Sequence, residues 1–400
     1  MIHQMHGIDA RQWRDKIMND VIGNEPVIDG EEIADGIIKW IEIESPSDDK
    51  EAVNRMADFV EAQCNDIGLD TERTPGEDGW ADLIRARSPG DDHSQPGILV
   101  ISHIDTVHPI GTKDGDNKIR RDGDKLYGPG TYDMKAGAYL AVYSYRHLIR
   151  KGGKNKLPVT FMFIPEEEVG SPYTRKIIEQ EASNSKYVLV TEPARDGGKV
   201  VVARKGVARF VLKATGQPAH AGAKHEDGRS AIKEIAKQII AIEEMTDYDR
   251  GTTFNVGLIE GGTGVNVVPR ECRIEVDMRV LDETEGERMT QKIYELQSHD
   301  QDVTLEIEGG MNRPAYGLTE RSRELFDVAR TASLEHGLDL QYTDITGGGS
   351  DGNFTGAMGV PTLDGLGADG AGAHTLFEHI LVSSLKPRAQ TWVKMLERLE

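Results

Sequence analysis

Positive charge is scarce in this chain. Its 47 lysines and arginines face 68 aspartates and glutamates, a formal net charge of −21, and the isoelectric point is near 5.0. Nucleic acid and anionic membrane are therefore excluded as natural partners, because like charge repels both. Cysteine is scarcer: Cys64 and Cys272 stand far apart with no Cys-x-x-Cys spacing. That excludes a disulfide framework and a thiolate metal site, and it suits a reducing compartment. No apolar run approaches the ~20 residues needed to cross a bilayer. The segment from Met1 to Gly7 lacks a basic stretch followed by an apolar one, so a cytoplasmic protein is expected. Internal repeats and low-complexity segments are missing too.

A chain of 400 residues exceeds the size at which one core usually stops growing, so two domains are expected. Apolar spacing predicts helices over 8–20, 29–43 and 49–67, then a short strand near 81–86. The first strongly apolar run is Gly97 to Ser102, and another spans Pro158 to Ile164. Helix over 173–182 and strand over 186–190 continue an alternation that predicts an α/β fold around a βαβ sheet. From about residue 206 the pattern becomes strand, helix, strand, strand, helix, strand, the order of a ferredoxin-like α+β unit. The boundaries read as a discontinuous domain, 1–205 and 313–400, interrupted by an inserted domain, 206–312. Closing helices are expected over 319–336 and 384–399.

Chemistry-bearing side chains collect at strand ends, where open α/β sheets place ligand sites. Glu166, Glu167 and Glu168 follow the strand ending at Ile164. Alone, three adjacent glutamates make a solvated acidic loop. With His103, Asp105, Asp133, Glu192 and His374 also at strand ends or turns, a divalent cation is the simplest partner for so much negative charge. His103 and Asp105, two apart, fall on one side of an extended backbone, as a metal-bound imidazole and its steering carboxylate do, and equally as a polar pair at a strand end does. Asp133 also fits an N-cap. His225 and His379 read as surface residues.

Together these stretches resemble the co-catalytic metallopeptidases of the M20 type, which include glutamate carboxypeptidases, aminoacylases and desuccinylases. The resemblance is carried by Ser102 to Pro109, Gly128 to Lys135, Glu166 to Ser171, Thr191 to Pro193, Gly216 to Gly222, Thr346 to Asp351 and Gly372 to His374. It implies a mixed-sheet di-metal catalytic domain, with the insertion as lid and dimerisation domain of a homodimer. It implies two divalent ions per subunit about 3.5 Å apart, zinc first, manganese or cobalt otherwise. His103 and Glu192 would hold one ion, Glu168 and His374 the other, and Asp133 would bridge them, with a cis peptide bond to Met134. Asp105 would orient His103. Glu167 would be the general base for a metal-bridged hydroxide, and His220 would stabilise the oxyanion.

The same resemblance points to Asn266, Arg279, Arg313 and Lys199 as the group that holds a substrate carboxylate, arginine through its bidentate fork. Within the family the closest likeness is to the glutamate carboxypeptidase branch. The implied activity is cleavage of an amide bond in an N-acyl amino acid or short peptide, with glutamate or aspartate as the leaving group. An aminoacylase-like or desuccinylase-like deacylase, or a hydrolase of a non-peptide amide, keeps the same metals and base with a different pocket.

Overall fold

A computed structural model describes residues 27–400; the helix expected over 8–20 lies outside them. The chain runs through α1 (Gly30–Ile41), α2 (Lys50–Asp66), β1 (Asp70–Thr74), β2 (Leu83–Arg87), β3 (Gly97–His103), β4 (Arg120–Asp122), β5 (Lys125–Tyr127) and α3 (Ala136–Arg150). It continues with β6 (Val159–Ile164), α4 (Arg175–Ser183), β7 (Ser185–Val190) and β8 (Val200–Val201). Next come β9 (Gly206–Thr215), α5 (Ala231–Glu243), β10 (Thr253–Gly261), β11 (Glu271–Val280), α6 (Glu283–Tyr294) and β12 (Thr304–Arg313). The last elements are α7 (Glu320–Leu334), β13 (Tyr342–Thr343), α8 (Gly352–Ala357), β14 (Thr362–Leu363), β15 (Gly370–Ala371), β16 (His379–Leu381) and α9 (Leu385–Arg398). The chain forms two compact units.

The larger unit comprises the chain up to Val202, Leu318–Asp344 and Ser350–Glu400. Its main sheet has the order β1-β2-β6-β3-β7-β14. Strand β3 runs parallel to both β6 and β7, and β14 parallel to β7, while β2 and β1 are antiparallel. Side chains alternate across it: Ile98 and Val100 enter one core cluster, Leu99 and Ile101 the opposite one. Both faces are covered, which is why β3 and β6 read as unbroken apolar runs. Each fully buried aliphatic side chain contributes roughly 1.5–3 kcal/mol, so the strands that lead into the site are firmly anchored. On the larger face, α1 contributes Ile33, Ile37, Trp40 and Ile41 to that core. The aspartate caps of α1 and α2, Asp29 and Asp49, accept from the amides of Glu31 and Ala52,. Strand β1 carries Asp-Thr-Glu-Arg-Thr with no fully buried residue; a polar edge strand of this kind has no apolar alternation to betray it.

The smaller unit comprises Ala203–Gly317 with Ile345–Gly349. Its sheet order, β10-β11-β9-β12, with every pairing antiparallel, is ferredoxin-like,. A separate core of Phe210, Leu212, Ile235, Ile274, Val276, Met289 and their neighbours holds it. Residues 345–349 join this unit because Thr346 exchanges backbone bonds with Ala203 and Lys205, at 3.2 and 3.0 Å. Among the described residues no helix is long and apolar enough to cross a membrane, and Cys64 and Cys272 are both free and buried.

Candidate metal centre

Because β3, β6 and β7 are parallel neighbours, their C-terminal ends lie along one edge of the sheet. That edge receives His103 from β3, the glutamates after Ile164 from β6, and Glu192 two residues beyond β7. Asp133 arrives from the loop between β5 and α3, and His374 from the loop between β15 and β16. Helix α3 starts at Ala136, so Asp133 is no N-cap; its peptide bond to Met134 is cis. Gly137 lets α3 approach the end of β7: a Cβ there would lie 1.9 Å from the Thr191 carbonyl oxygen. His374 sits at φ 62°, a left-handed backbone conformation.

The polar geometry is that of a cage for positive charge. The carboxylate oxygens of Asp133 face different imidazoles: Oδ1 is 3.2 Å from His103 Nε2, and Oδ2 is 3.4 Å from His374 Nε2. Glu192 Oε1 lies 3.9 Å from His103 Nε2, and Glu168 Oε2 lies 3.1 Å from His374 Nε2. Asp105 stands behind His103, its carbonyl oxygen 3.0 Å and its Oδ1 3.4 Å from Nδ1. An imidazole that donates its Nδ1–H to Asp105 faces the oxygens at Nε2 in one of two ways, with a second proton there or with a lone pair offered to a cation standing between. Asp105 is itself held by the Ser47 hydroxyl at 2.6 Å and by the Glu167 and Glu168 amides, both at 3.2 Å. This ties the strand end that carries His103 to the turn that carries the glutamates.

Charge and burial point the same way. Burial opposes a charged His103, yet its bonds to Asp105 and Asp133 hold its pKa well above the usual histidine range. His374, gripped by Asp133 and Glu168, is raised to about 11. Burial alone would raise Asp133, but the two imidazoles pull it far below the ordinary carboxylate range. Glu168 is pushed upward, chiefly by burial, and its Oε1 is buried with no hydrogen-bond partner. Ligand atoms of His103, Asp133 and Glu168 lie within 4.8 Å of one another, as do those of His103, Glu167 and Glu192. A mixed set of imidazole and carboxylate ligands with an orphaned oxygen fits divalent cations. Glu167 falls within one of these groups, so proximity alone does not separate a base from a ligand; the pairing of Asp133 with both histidines does not involve it.

The three glutamates diverge. Glu166 is fully buried, and its Oε1 accepts from the Thr174 amide at 2.7 Å, the Thr174 hydroxyl at 2.8 Å and the Tyr173 amide at 3.2 Å. Burial pushes its pKa up to about 7. Glu167 is 9% exposed, and Glu168 turns to His374.

In the smaller unit His220 is exposed. Its Nδ1 accepts from the amides of Gly222 and Ala223, both at 3.1 Å, so Nε2 carries the proton. Asn266 adjoins it, its carbonyl accepting from the Ala221 amide at 3.0 Å. The fork of Arg279, expected on a substrate carboxylate, closes instead on Asp277 at 2.7 and 2.8 Å and on the Gly347 carbonyl at 3.1 Å. Arg313 is buried, its Cδ packed under Gly349. In the larger unit Lys199 sits in a tight turn, exchanging backbone bonds of 2.7 and 2.8 Å with Arg195. His225 is exposed. His379 is not the surface residue expected: it is 9% exposed on β16, with its ring 5.0 Å from that of Tyr127. Pairing of β16 with β5 buries it, and nothing local in the sequence announces so short a ladder. Glu378, which holds the Asp133 loop, and His108, which bonds Glu378, also escape a reading by composition.

The family model for peptidase family M20/M25/M40 matches residues 99–398. Carboxypeptidase G2 of Pseudomonas sp. (strain RS-16) is 27% identical over 361 residues, 88% of this chain and 85% of that protein. Succinyl-diaminopimelate desuccinylase of Acinetobacter baumannii (strain ACICU) is 29% identical over 324 residues, 76% of this chain and 83% of that protein. In fold the chain is similar to a tripeptidase from Staphylococcus aureus, with a TM-score of 0.75 at 21% identity, covering 93% of this chain and 99% of that one. With a family match spanning three quarters of its length and a cage of imidazoles and carboxylates drawn from within the matched span, the chain belongs to peptidase family M20/M25/M40 and is a metal-dependent hydrolase of amide bonds.

Proposed function

We propose that the enzyme cleaves the amide bond joining an acyl or peptidyl group to a C-terminal amino acid, with glutamate or aspartate as the preferred leaving group. The observation that carries the metal assignment is the division of Asp133 between two imidazoles, at 3.2 and 3.4 Å. One divalent ion would be held by His103, Glu192 and Asp133, the other by Glu168, His374 and Asp133, zinc being the simplest occupant and manganese or cobalt the alternatives. Bound there, the pair of ions supplies Lewis acidity and activates water. Glu167 takes the proton from the attacking water and delivers it to the departing nitrogen, breaking the C–N bond. Asp105 holds the His103 ring at the required tautomer and angle. His220 is assigned to the oxyanion, and its outward Nε2–H, fixed by the Gly222 and Ala223 amides, is a neutral donor suited to that task,.

For the substrate carboxylate the assignment remains Asn266, Arg313, Lys199 and Arg279, with Arg279 acting only once its pair with Asp277 opens. Likeness to carboxypeptidase G2 supports the carboxypeptidase reading. The similar likeness to a desuccinylase supports a second, in which a dicarboxylic acyl group is recognised instead. We further propose a cytoplasmic homodimer, joined through the smaller unit. The metal-free enzyme, reloaded with Zn, Mn or Co, is to be screened against N-acyl amino acids that vary first in the amino acid and then in the acyl group. Rates that follow the amino acid and favour glutamate or aspartate support the first reading. Rates that follow a succinyl group, indifferent to the amino acid, replace it with the second.

A further inference from the structure

Glu378 is fully buried and takes no part in the chemistry above, yet its carboxylate is saturated with donors. Oε1 accepts from the amides of Tyr132 at 2.8 Å and Asp133 at 2.9 Å. Oε2 accepts from the amide of Gly130 at 3.0 Å and from the His108 ring at 2.7 Å. With the carboxylate oxygen as acceptor, His108 Nε2–H is the donor.

Three of these four donors belong to the loop that presents Asp133, whereas Glu378 belongs to the segment that presents His374. The two segments leave a common ladder: β5 pairs with β16 through Tyr127 and His379, Leu126 and Ile380, Lys125 and Leu381. Where that ladder ends, Glu378 continues the connection with side-chain bonds to the opposite backbone. The Asp133 loop is closely seated on its other side too, since a Cβ at Gly130 (φ 68°) would lie 2.5 Å from Thr106 Cγ2. Asp133 and His374 are the two groups whose separation must suit a cation, 3.4 Å between Oδ2 and Nε2.

We infer that Glu378 is a positioning residue for the metal centre. Reaching from the His374 segment, it fixes the backbone of Asp133 before any ion arrives, and His108 locks the carboxylate's orientation. The inference rests on the two-ion reading of the site. A side chain that merely stabilised the fold would alter melting while leaving the affinity of the folded protein unchanged; a positioning residue alters the affinity.

The test is a Co(II) titration of the metal-free full-length protein and its Glu378→Gln variant, followed by calorimetry and visible absorption, with thermal melts of both. Glutamine keeps the size but turns an NH2 group toward N–H donors on one side. The variant should fold and bind Co(II) about 10–100-fold more weakly, the range found when a group that orients a ligand is lost, with an altered ligand-field spectrum. A wild type that takes up fewer than two ions sinks the two-ion reading and this inference with it. A wild type with two ions and a folded variant of equal affinity and spectrum overturns this inference alone. Should Glu378→Gln fail to fold, His108→Ala, which removes only the fourth donor, takes its place. It should weaken Co(II) binding several-fold, and unchanged binding overturns the inference.

Discussion

Glu166, Glu167 and Glu168 carry the same functional group, and the turn after β6 gives each a different neighbour. Glu166 folds back on Thr174 and secures the turn, Glu168 reaches His374, and Glu167 falls in a group with His103 and Glu192. If Glu167 is the base proposed above, replacing it by Gln removes the proton acceptor and leaves Asp133 and its two imidazoles in place. Turnover should fall by about 10²–10⁴-fold while elemental analysis still finds two ions per chain; near-full activity would move the base elsewhere. Residue types and their spacing were enough to nominate His103, Asp133, Glu192, His374 and the run of three glutamates; the choice of Glu168 among those three rested on the family resemblance. The partner of Arg279 was not legible in the same way. Asp277 lies two positions away on the same strand face, and only the fold shows that this pair closes with bidentate geometry.

At the level of elements, close backbone approaches and helix caps carry the testable consequences. Gly137 sits where α3 meets the end of β7, and an added methyl would collide with the Thr191 carbonyl oxygen at 1.9 Å. Gly137→Ala should therefore lower stability by about 1–3 kcal/mol, the usual cost of overpacking, visible as an earlier denaturant midpoint; an unchanged midpoint would mean that the helix shifts freely. In the smaller unit, Glu285 on the first turn of α6 is gripped by Arg288 at 2.6 and 2.8 Å and by the Thr252 hydroxyl at 2.8 Å. The Arg288 bonds, foremost, draw its pKa down to about 2. A carboxylate whose folded pKa lies below its unfolded value near 4.3 adds stability that is complete above that value and disappears as pH falls toward 2. Glu285→Gln should be less stable than the parent at pH 7 and match it near pH 2, as measured by denaturant midpoints across that range. Equal midpoints at pH 7 would show the ion pair to be fully screened. Strands with two covered faces, β3 and β6, were plain in the sequence, whereas β1, β4, β5, β15 and β16 were not: short or polar strands lack the apolar periodicity that marks a buried one.

At the scale of the whole molecule, the smaller unit exposes large apolar side chains on a helix and on the edge strand beside it. Ile240 on α5 is 60% exposed, and Leu258 and Ile259 on β10 are 61% and 60% exposed. Because β10 is an edge strand, a partner is the usual way such a surface is protected, which supports the proposed homodimer. Ile259→Lys should convert a dimer into a monomer in light scattering, and a dimer that persists would place the interface elsewhere. The sequence by itself determined the alternation of strand and helix, the ferredoxin-like insertion and the kinds of group that meet a cation, because these follow from local periodicity and residue chemistry. Only the tertiary structure decided that each oxygen of Asp133 faces its own imidazole, that His379 is buried, and that Glu378 holds the Asp133 amide across 245 positions of chain. Contacts at that separation come from the pairing of strands and leave no local pattern in the residues that make them.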